Sequence, residues 1–320
     1  MKQLLVSVTV LLVIFTVIPA CVTNAKPDYS YSFVHLSDTQ GLQYYPALYN
    51  LTFTEIESLK SQYNISAIFI TGDITDAGPH DYPRYAQTIT LTTIPIYEVS
   101  GNHDLYNTYS NYTQWDTYVP DGSGKHNYGF VFNDFVVYGF GWHGMDELDP
   151  KAETAMEDLF AAHPTKVPLI LTHAYFRAYE GDVTGERDDV AYDILDSLTR
   201  NAVILSGHTH TDTQLGFMRQ TRYRNITVIE DFVNPQDWKK YSVGRLYTVT
   251  TNGSYVKNMT VSDVYLNPDF VVNNTVPYTL FPPLPPPTVT VTHQTTPQQL
   301  PPPPTLTYQK EPILEPLPGY

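Results

Sequence analysis

Along this chain, short apolar runs end repeatedly in a residue able to bind a metal ion. Phe33 to Leu36 leads into Asp38 and Gln40, and Ala67 to Ile70 leads into Gly72-Asp73. Ile94 to Val99 leads into Gly101-Asn102-His103-Asp104. Val167 to Leu171 leads into Thr172-His173, and Val203 to Leu205 into Gly207-His208-Thr209-His210. Short apolar runs bounded by turn-forming residues read as buried strands. Helical stretches are expected between several of them, at Phe53 to Tyr63, Tyr82 to Ile89, Ala152 to Ala162 and Asp188 to Thr199. The acidic pair Asp188-Asp189 suits a helix start, where the dipole is positive. Strand and helix in alternation argue for an α/β domain.

Two stretches depart from that rhythm. Tyr128 to Phe140 reads as a hairpin turning at Asn133-Asp134. After His210, Gln214 to Phe217, Asn225 to Glu230, Tyr241 to Thr250 and Ser254 to Val261 read as successive antiparallel strands, with a turn at Asn252-Gly253. From Leu266 the periodicity is lost, and 15 of the 26 prolines fall in the last 55 residues. Proline removes backbone donors and favours extended chain, so residues 266–320 are expected to form a disordered tail or stalk.

Composition narrows the picture. With 320 residues the chain can bury a sizeable core. The net charge of −15, from 33 acidic against 18 basic residues, is unsuited to general nucleic-acid binding. The single cysteine, Cys21, excludes an internal disulfide and a thiolate cluster. Any metal site must therefore use His, Asp, Asn and Gln.

Residues 1–21 read as a secretory signal: Met1-Lys2, an apolar run from Leu4 to Ile18, then Pro19-Ala20 before Cys21. The run is shorter than the roughly 20 residues of a spanning helix. Cys21 directly after Ala20 resembles a lipobox, which implies membrane anchoring through a lipidated N-terminus. Seven Asn-x-Ser/Thr sequons, at Asn50, Asn64, Asn111, Asn225, Asn252, Asn258 and Asn273, fit an exported, glycosylated protein at the cell surface.

The residues at the ends of the five runs suit a binuclear site. Carboxylates, imidazoles and a neutral amide oxygen together favour Mn, Fe or Zn over calcium. In open α/β sheets, functional groups gather in loops at the carboxyl ends of strands. The ordered series Asp38-x-Gln40, Gly72-Asp73, Gly101-Asn102-His103-Asp104, His173 and Gly207-His208-x-His210 resembles the calcineurin-like metallophosphoesterase family, over Phe33 to His210 and on toward Val261. The resemblance implies a four-layer α/β/β/α sandwich over residues 30–265. It implies two divalent metal ions, one on Asp38, Gln40 and His210, the other on Asn102, His173 and His208, with Asp73 bridging. His103 would protonate the leaving oxygen and Asp104 would orient it. The reaction implied is hydrolysis of a small-molecule phosphate ester, mono- or diester, by a metal-activated water.

Gln40 departs from the histidine usual at that position. Asp76 stands where the iron(III) purple acid phosphatases of the family carry a tyrosine ligand, which argues against a tyrosinate-iron site. Other histidines have plainer readings: His35 as a core residue, His126 and His163 at the surface, and His143, with Tyr175 and Arg177, in loops near the site. The opposing reading is a non-catalytic surface protein that keeps this fold and binds metal for stability.

Overall fold

The computed structural model describes residues 27–40, 46–76, 81–105, 112–119, 126–142, 149–173, 194–208, 217–223, 226–232, 243–253, 256–266 and 270–278. By contacts the chain divides into residues 1–284 and 285–320, and every described residue lies in the first unit. The expected signal, Cys21 and the Pro-rich segment beyond Tyr278 lie outside the described residues. Among the described residues no helix is long and apolar enough to cross a membrane.

Two six-stranded sheets form the centre. The first contains β1 (Tyr29–Leu36), β2 (Ile65–Thr71), β3 (Ile96–Val99), β10 (Val243–Thr251), β11 (Val256–Leu266) and β12 (Phe270–Tyr278). Their order is β12-β11-β10-β1-β2-β3. The second contains β4 (Tyr128–Phe132), β5 (Phe135–Phe140), β6 (Val167–Thr172), β7 (Ala202–Ser206), β8 (Phe217–Tyr223) and β9 (Ile226–Phe232), in the order β4-β5-β6-β7-β9-β8. Strands β1, β2 and β3 are parallel, as are β5, β6, β7 and β9. Helices α1 (Pro46–Tyr63) and α2 (Asp81–Ile89) flank the first sheet, and α4 (Pro150–Ala162) flanks the second. A short α3 (Thr113–Tyr118) follows β3. The architecture is the expected α/β/β/α sandwich.

Alternation along the strands decides where each side chain goes. In β1, Phe33 faces the second sheet, while Val34 and Leu36 face the helices. Phe33 stacks on Tyr247 at 4.5 Å and meets Phe69 and Phe135 edge-on at 5.2 and 5.9 Å. Each such ring, fully buried, contributes roughly 1.5–3 kcal/mol. On the outer face of the first sheet, Phe53, Ile56 and Tyr49 of α1 seat on Ile68 and Ile70 of β2. On the second, Met156 and Phe160 of α4 seat on Ile170 and Ile204. Asp149 caps α4 by accepting from the Lys151 backbone N–H at 3.0 Å, with Pro150 in the first turn. The hairpin between β4 and β5 turns at Asn133, whose φ is +49°.

Two expectations need correcting. The ladder does not stop at Leu266: β12 pairs with β11 from Phe270 to Tyr278, inside the segment read as tail. Valines and Phe270 favour a strand there, and Pro277 is tolerated because β12 is an edge. The strands after His210 are not one antiparallel series. Strands β8 and β9 join the second sheet, β9 parallel to β7, whereas β10 to β12 join the first. Of the strand expected at Gln214 to Phe217, residues 214–216 lie outside the described residues; β8 runs from Phe217 to Tyr223, and its sequence FMRQTRY lacks the apolar alternation of a half-buried strand. An edge strand needs no such alternation and often carries charge. Of the helix expected at Asp188 to Thr199, residues 194–197 are helical, and 188–193 lie outside the described residues.

Candidate metal centre

All five ligand-bearing loops leave the same end of the two sheets. The β1 and β2 loops run side by side: the Asp38 N–H donates to the Gly72 carbonyl at 3.1 Å, and the Gln40 N–H to the Asp73 carbonyl at 2.8 Å. Asp38, Asp73 and His208 all have left-handed backbone, with φ of +52°, +50° and +77°. A non-glycine residue there carries about 1–3 kcal/mol of strain, and such strain collects at functional sites. Gly101 and Gly207 permit the close approach. A Cβ at Gly101 would collide with Asp73 Oδ1, and one at Gly207 with Ser37 Oγ and Asp38 Oδ2.

The side chains converge. Ligand atoms of Asp38, Asp73 and His173 lie within 4.8 Å of one another, and all three residues are buried. His173 Nε2 stands 3.2 Å from Asp73 Oδ2 and 3.1 Å from Asn102 Oδ1. His208 Nδ1 is 2.8 Å from the same Asn102 oxygen. The His208 backbone N–H donates to Asp38 Oδ2 at 3.1 Å. Gln40 Nε2 donates to Asp73 Oδ2 at 3.3 Å, and this leaves Gln40 Oε1 buried with no hydrogen-bond partner among the described residues. Six of the seven expected ligands therefore meet. The seventh, His210, lies outside the described residues, as do His143, Tyr175 and Arg177.

This donor set fits a cation. His173 Nδ1 is 2.7 Å from the Thr71 carbonyl, which can only accept, so Nδ1 carries one proton and Nε2 is the nitrogen left to face the site. Nε2 meets two acceptor oxygens, which favour either a second proton or a metal ion there. Burial works against a charge on His173, but Asp73 and Asp38 outweigh it and raise its pKa to about 9. Asp73 is held below its usual value: burial opposes its charge, and the neighbouring His173 and His103 overcome that. The orphaned Gln40 oxygen adds one more lone pair in want of a positive charge.

His103 sits at the edge of the cluster, with its side chain 33 % exposed. Its backbone N–H donates to Asp73 Oδ1 at 2.9 Å, and its Nε2 is 4.0 Å from Asp73 Oδ2. Its Nδ1 is 2.9 Å from Asp76 Oδ1. That hydrogen bond raises the His103 pKa, against partial burial. The role expected of Asp104 thus needs correcting. Its buried carboxylate accepts from the backbone N–H of Gly101 and Thr75, both at 2.8 Å, from Ile74 N–H at 3.3 Å and from the Thr75 hydroxyl at 3.1 Å. Asp104 ties the Asp73 loop to the Asn102 loop, and the imidazole is oriented by Asp76. Burial and the charge of Asp73 push Asp104 up to about 7. The spacing Gly-Asp-x-x-Asp could have pointed to Asp76, which the sequence reading weighed only as a missing tyrosine. His35 is the core residue expected, buried and 2.8 Å from Thr71 Oγ1.

The sequence profile of the calcineurin-like phosphoesterase family matches residues 31–212, and the chain belongs to that family. It is a metallophosphoesterase by family, the family implies a binuclear divalent metal site, and the chain has a buried Asp38–Asp73–His173 group able to hold a cation. The uncharacterized protein YvnB of Bacillus subtilis (strain 168) is 27 % identical over 208 residues, which is 57 % of this chain but 15 % of that protein. The chain thus spans about a seventh of the length of this curated relative. Among solved structures, a dimetal phosphatase from Danio rerio superposes with a TM-score of 0.53 at 11 % identity, over 78 % of this chain and 99 % of that one. GAP50, the anchor in the inner membrane complex of Plasmodium, gives 0.52 at 12 % identity, over 79 % and 90 %. A purple acid phosphatase from yellow lupin seeds gives 0.51 at 14 % identity, over 78 % and 53 %. At these identities the structures share the fold.

Proposed function

We propose that this protein hydrolyses phosphate esters, mono- or diesters of small molecules, at a binuclear metal site outside the cell. The observation that carries the reading is the convergence of lone pairs from Asp38, Gln40, Asp73, Asn102, His173 and His208, with His103 presenting Nε2 beside them. The oxygen and imidazole donors suit Mn, Fe(II) or Zn. His210, outside the described residues, would complete the ligand set of the first ion. Bound there, two divalent cations would supply Lewis-acid activation of a water and of the phosphoryl oxygens.

The remaining roles belong to the protein. Asp73 lies between the two ligand groups and holds both His103 and His173 in place. Asp76 accepts from His103 Nδ1 and supports the imidazolium, so that Nε2 can give its proton to the leaving oxygen. Export follows from the N-terminal signal, with Cys21 as the site of a lipid anchor and the sequons as glycan acceptors. Asn258 is exposed on β11 and can receive a glycan without unfolding.

One observation favours a non-catalytic reading: the fold neighbour GAP50 is described as an anchor. The His103–Asp76 pair weighs against it, because neither side chain is needed to hold metal. The test is Mn-dependent turnover of an aryl phosphate and an aryl phosphodiester. Wild type should hydrolyse at least one. His103→Ala should lose 100-fold or more, on the order expected for a general acid, with metal content unchanged. No turnover by wild type with any divalent metal would establish the anchor-like reading instead.

A further inference from the structure

Trp142 lies two residues past the end of β5, at the metal-bearing end of the second sheet, and no step of the proposed reaction uses it. It is only 6 % exposed. Its ring lies 5.5 Å from that of His173 at 68° and 5.1 Å from that of His208 at 40°. The two imidazoles are themselves 5.0 Å apart at 74°. The indole thus walls one side of the imidazole pair that converges on Asn102. Its backbone is fastened on both sides: its N–H donates to Ser100 Oγ at 2.9 Å, and its carbonyl accepts from the Tyr112 hydroxyl at 2.9 Å. Ser100 directly precedes the Gly101-Asn102-His103 turn, so the wall and that ligand turn are tied together.

The indole N–H is buried and has no hydrogen-bond partner among the described residues. A tryptophan chosen for ordinary packing normally finds a partner for that donor when buried. Leaving it unpaired costs about 1–3 kcal/mol. A ring kept there at that cost is placed for its flat apolar face. An apolar wall beside metal-ligating imidazoles fixes their orientation and keeps water from competing for their lone pairs.

We infer that Trp142 is a positioning residue for the metal ion held by His173, His208 and Asn102, setting that ion's affinity through the faces of the two imidazoles. This rests on the binuclear reading above. Once metal-free protein is titrated with Mn(II) by calorimetry, wild type should take up two ions. Trp142→Ala should weaken one ion by tenfold or more, in the range found when residues supporting a metal ligand are lost, and leave the other unchanged. Trp142→Phe, which keeps an aromatic wall without the N–H, should restore affinity to within about threefold. A residue that only filled space would lower the melting temperature of the metal-free protein and leave both ions alike. If Trp142→Ala does not fold, Trp142→Leu keeps the apolar volume without a flat ring and should show the same selective loss.

Fluorescence gives an independent reading, because Trp142 is one of only three tryptophans. The emission of wild type minus that of Trp142→Phe should be quenched by Co(II) in the step that fills the site of His173, His208 and Asn102. Wild-type affinities in the alanine and leucine variants would overturn the proposal. Failure of wild type to bind two ions would instead overturn the binuclear reading.

Discussion

At the scale of single residues, the site is a set of lone pairs held together against their mutual repulsion. In the metal-free protein a proton on His173 relieves part of it, which is why its pKa lies near 9 rather than 6.5. Metal must displace that proton at any pH below about 9. Affinity should therefore fall about tenfold per pH unit between pH 8 and pH 6 for the ion bound through His173, with one proton released per ion. Calorimetry in buffers of different ionisation heat checks this. The same shift sets a stability trend. A raised folded-state pKa gives stability that is fully present below about 6.5 and is lost as pH rises through about 9. Metal-free protein should lose melting temperature over that window, and metal-loaded protein should not. Asp76→Asn keeps the shape of its side chain but loses the charge that supports the His103 imidazolium. It should lower kcat 10- to 100-fold and move the alkaline limb of the kcat profile to lower pH, because the acid then loses its proton earlier. Metal content should stay at the wild-type level.

At the scale of elements, the ligand loops are set by their strands and by glycine at the close approaches. A Cβ at Gly207 would meet Ser37 Oγ, which donates to the Thr71 carbonyl, and Asp38 Oδ2, which accepts from the His208 N–H. Gly207→Ala should lower stability by roughly 2–4 kcal/mol and weaken metal binding, as read by thermal melts with and without Mn(II). This level was well marked in the sequence, because each run of apolar residues ended in a motif of fixed spacing. The partner of His103 was not marked. Asp104 adjoins His103 in the chain, yet in a 3-10 turn adjacent side chains diverge, and that of Asp104 points back to Gly101 and Thr75. Asp76 reaches the ring only because β2 and β3 are neighbours in the sheet. Trp142 was equally hidden, since a lone tryptophan after a strand carries no spacing signal. The extent of β8 to Tyr223 was hidden for a related reason: an edge strand has little apolar pattern to read.

At the scale of the whole molecule, alternation of strand and helix pointed to α/β, and the ordered motifs pointed to the sandwich. Which sheet each late strand joins was not legible, because strand pattern says nothing of partner. The ladder from β10 to β12 makes a testable boundary. Ending the chain after Tyr278 keeps β12 on β11 and should leave the melting temperature within a few degrees, whereas ending it at Leu266 strips β11 of its outer neighbour and should lower it markedly.

Asp73 would hold two divalent cations at once in the proposed site. Native mass spectrometry of the purified chain after loading with Mn(II) tests it most directly. Two ions per chain in wild type, and at most one in Asp73→Asn, is the predicted result. A wild-type chain that carries no ion, or an Asp73→Asn chain that still carries two, would contradict it.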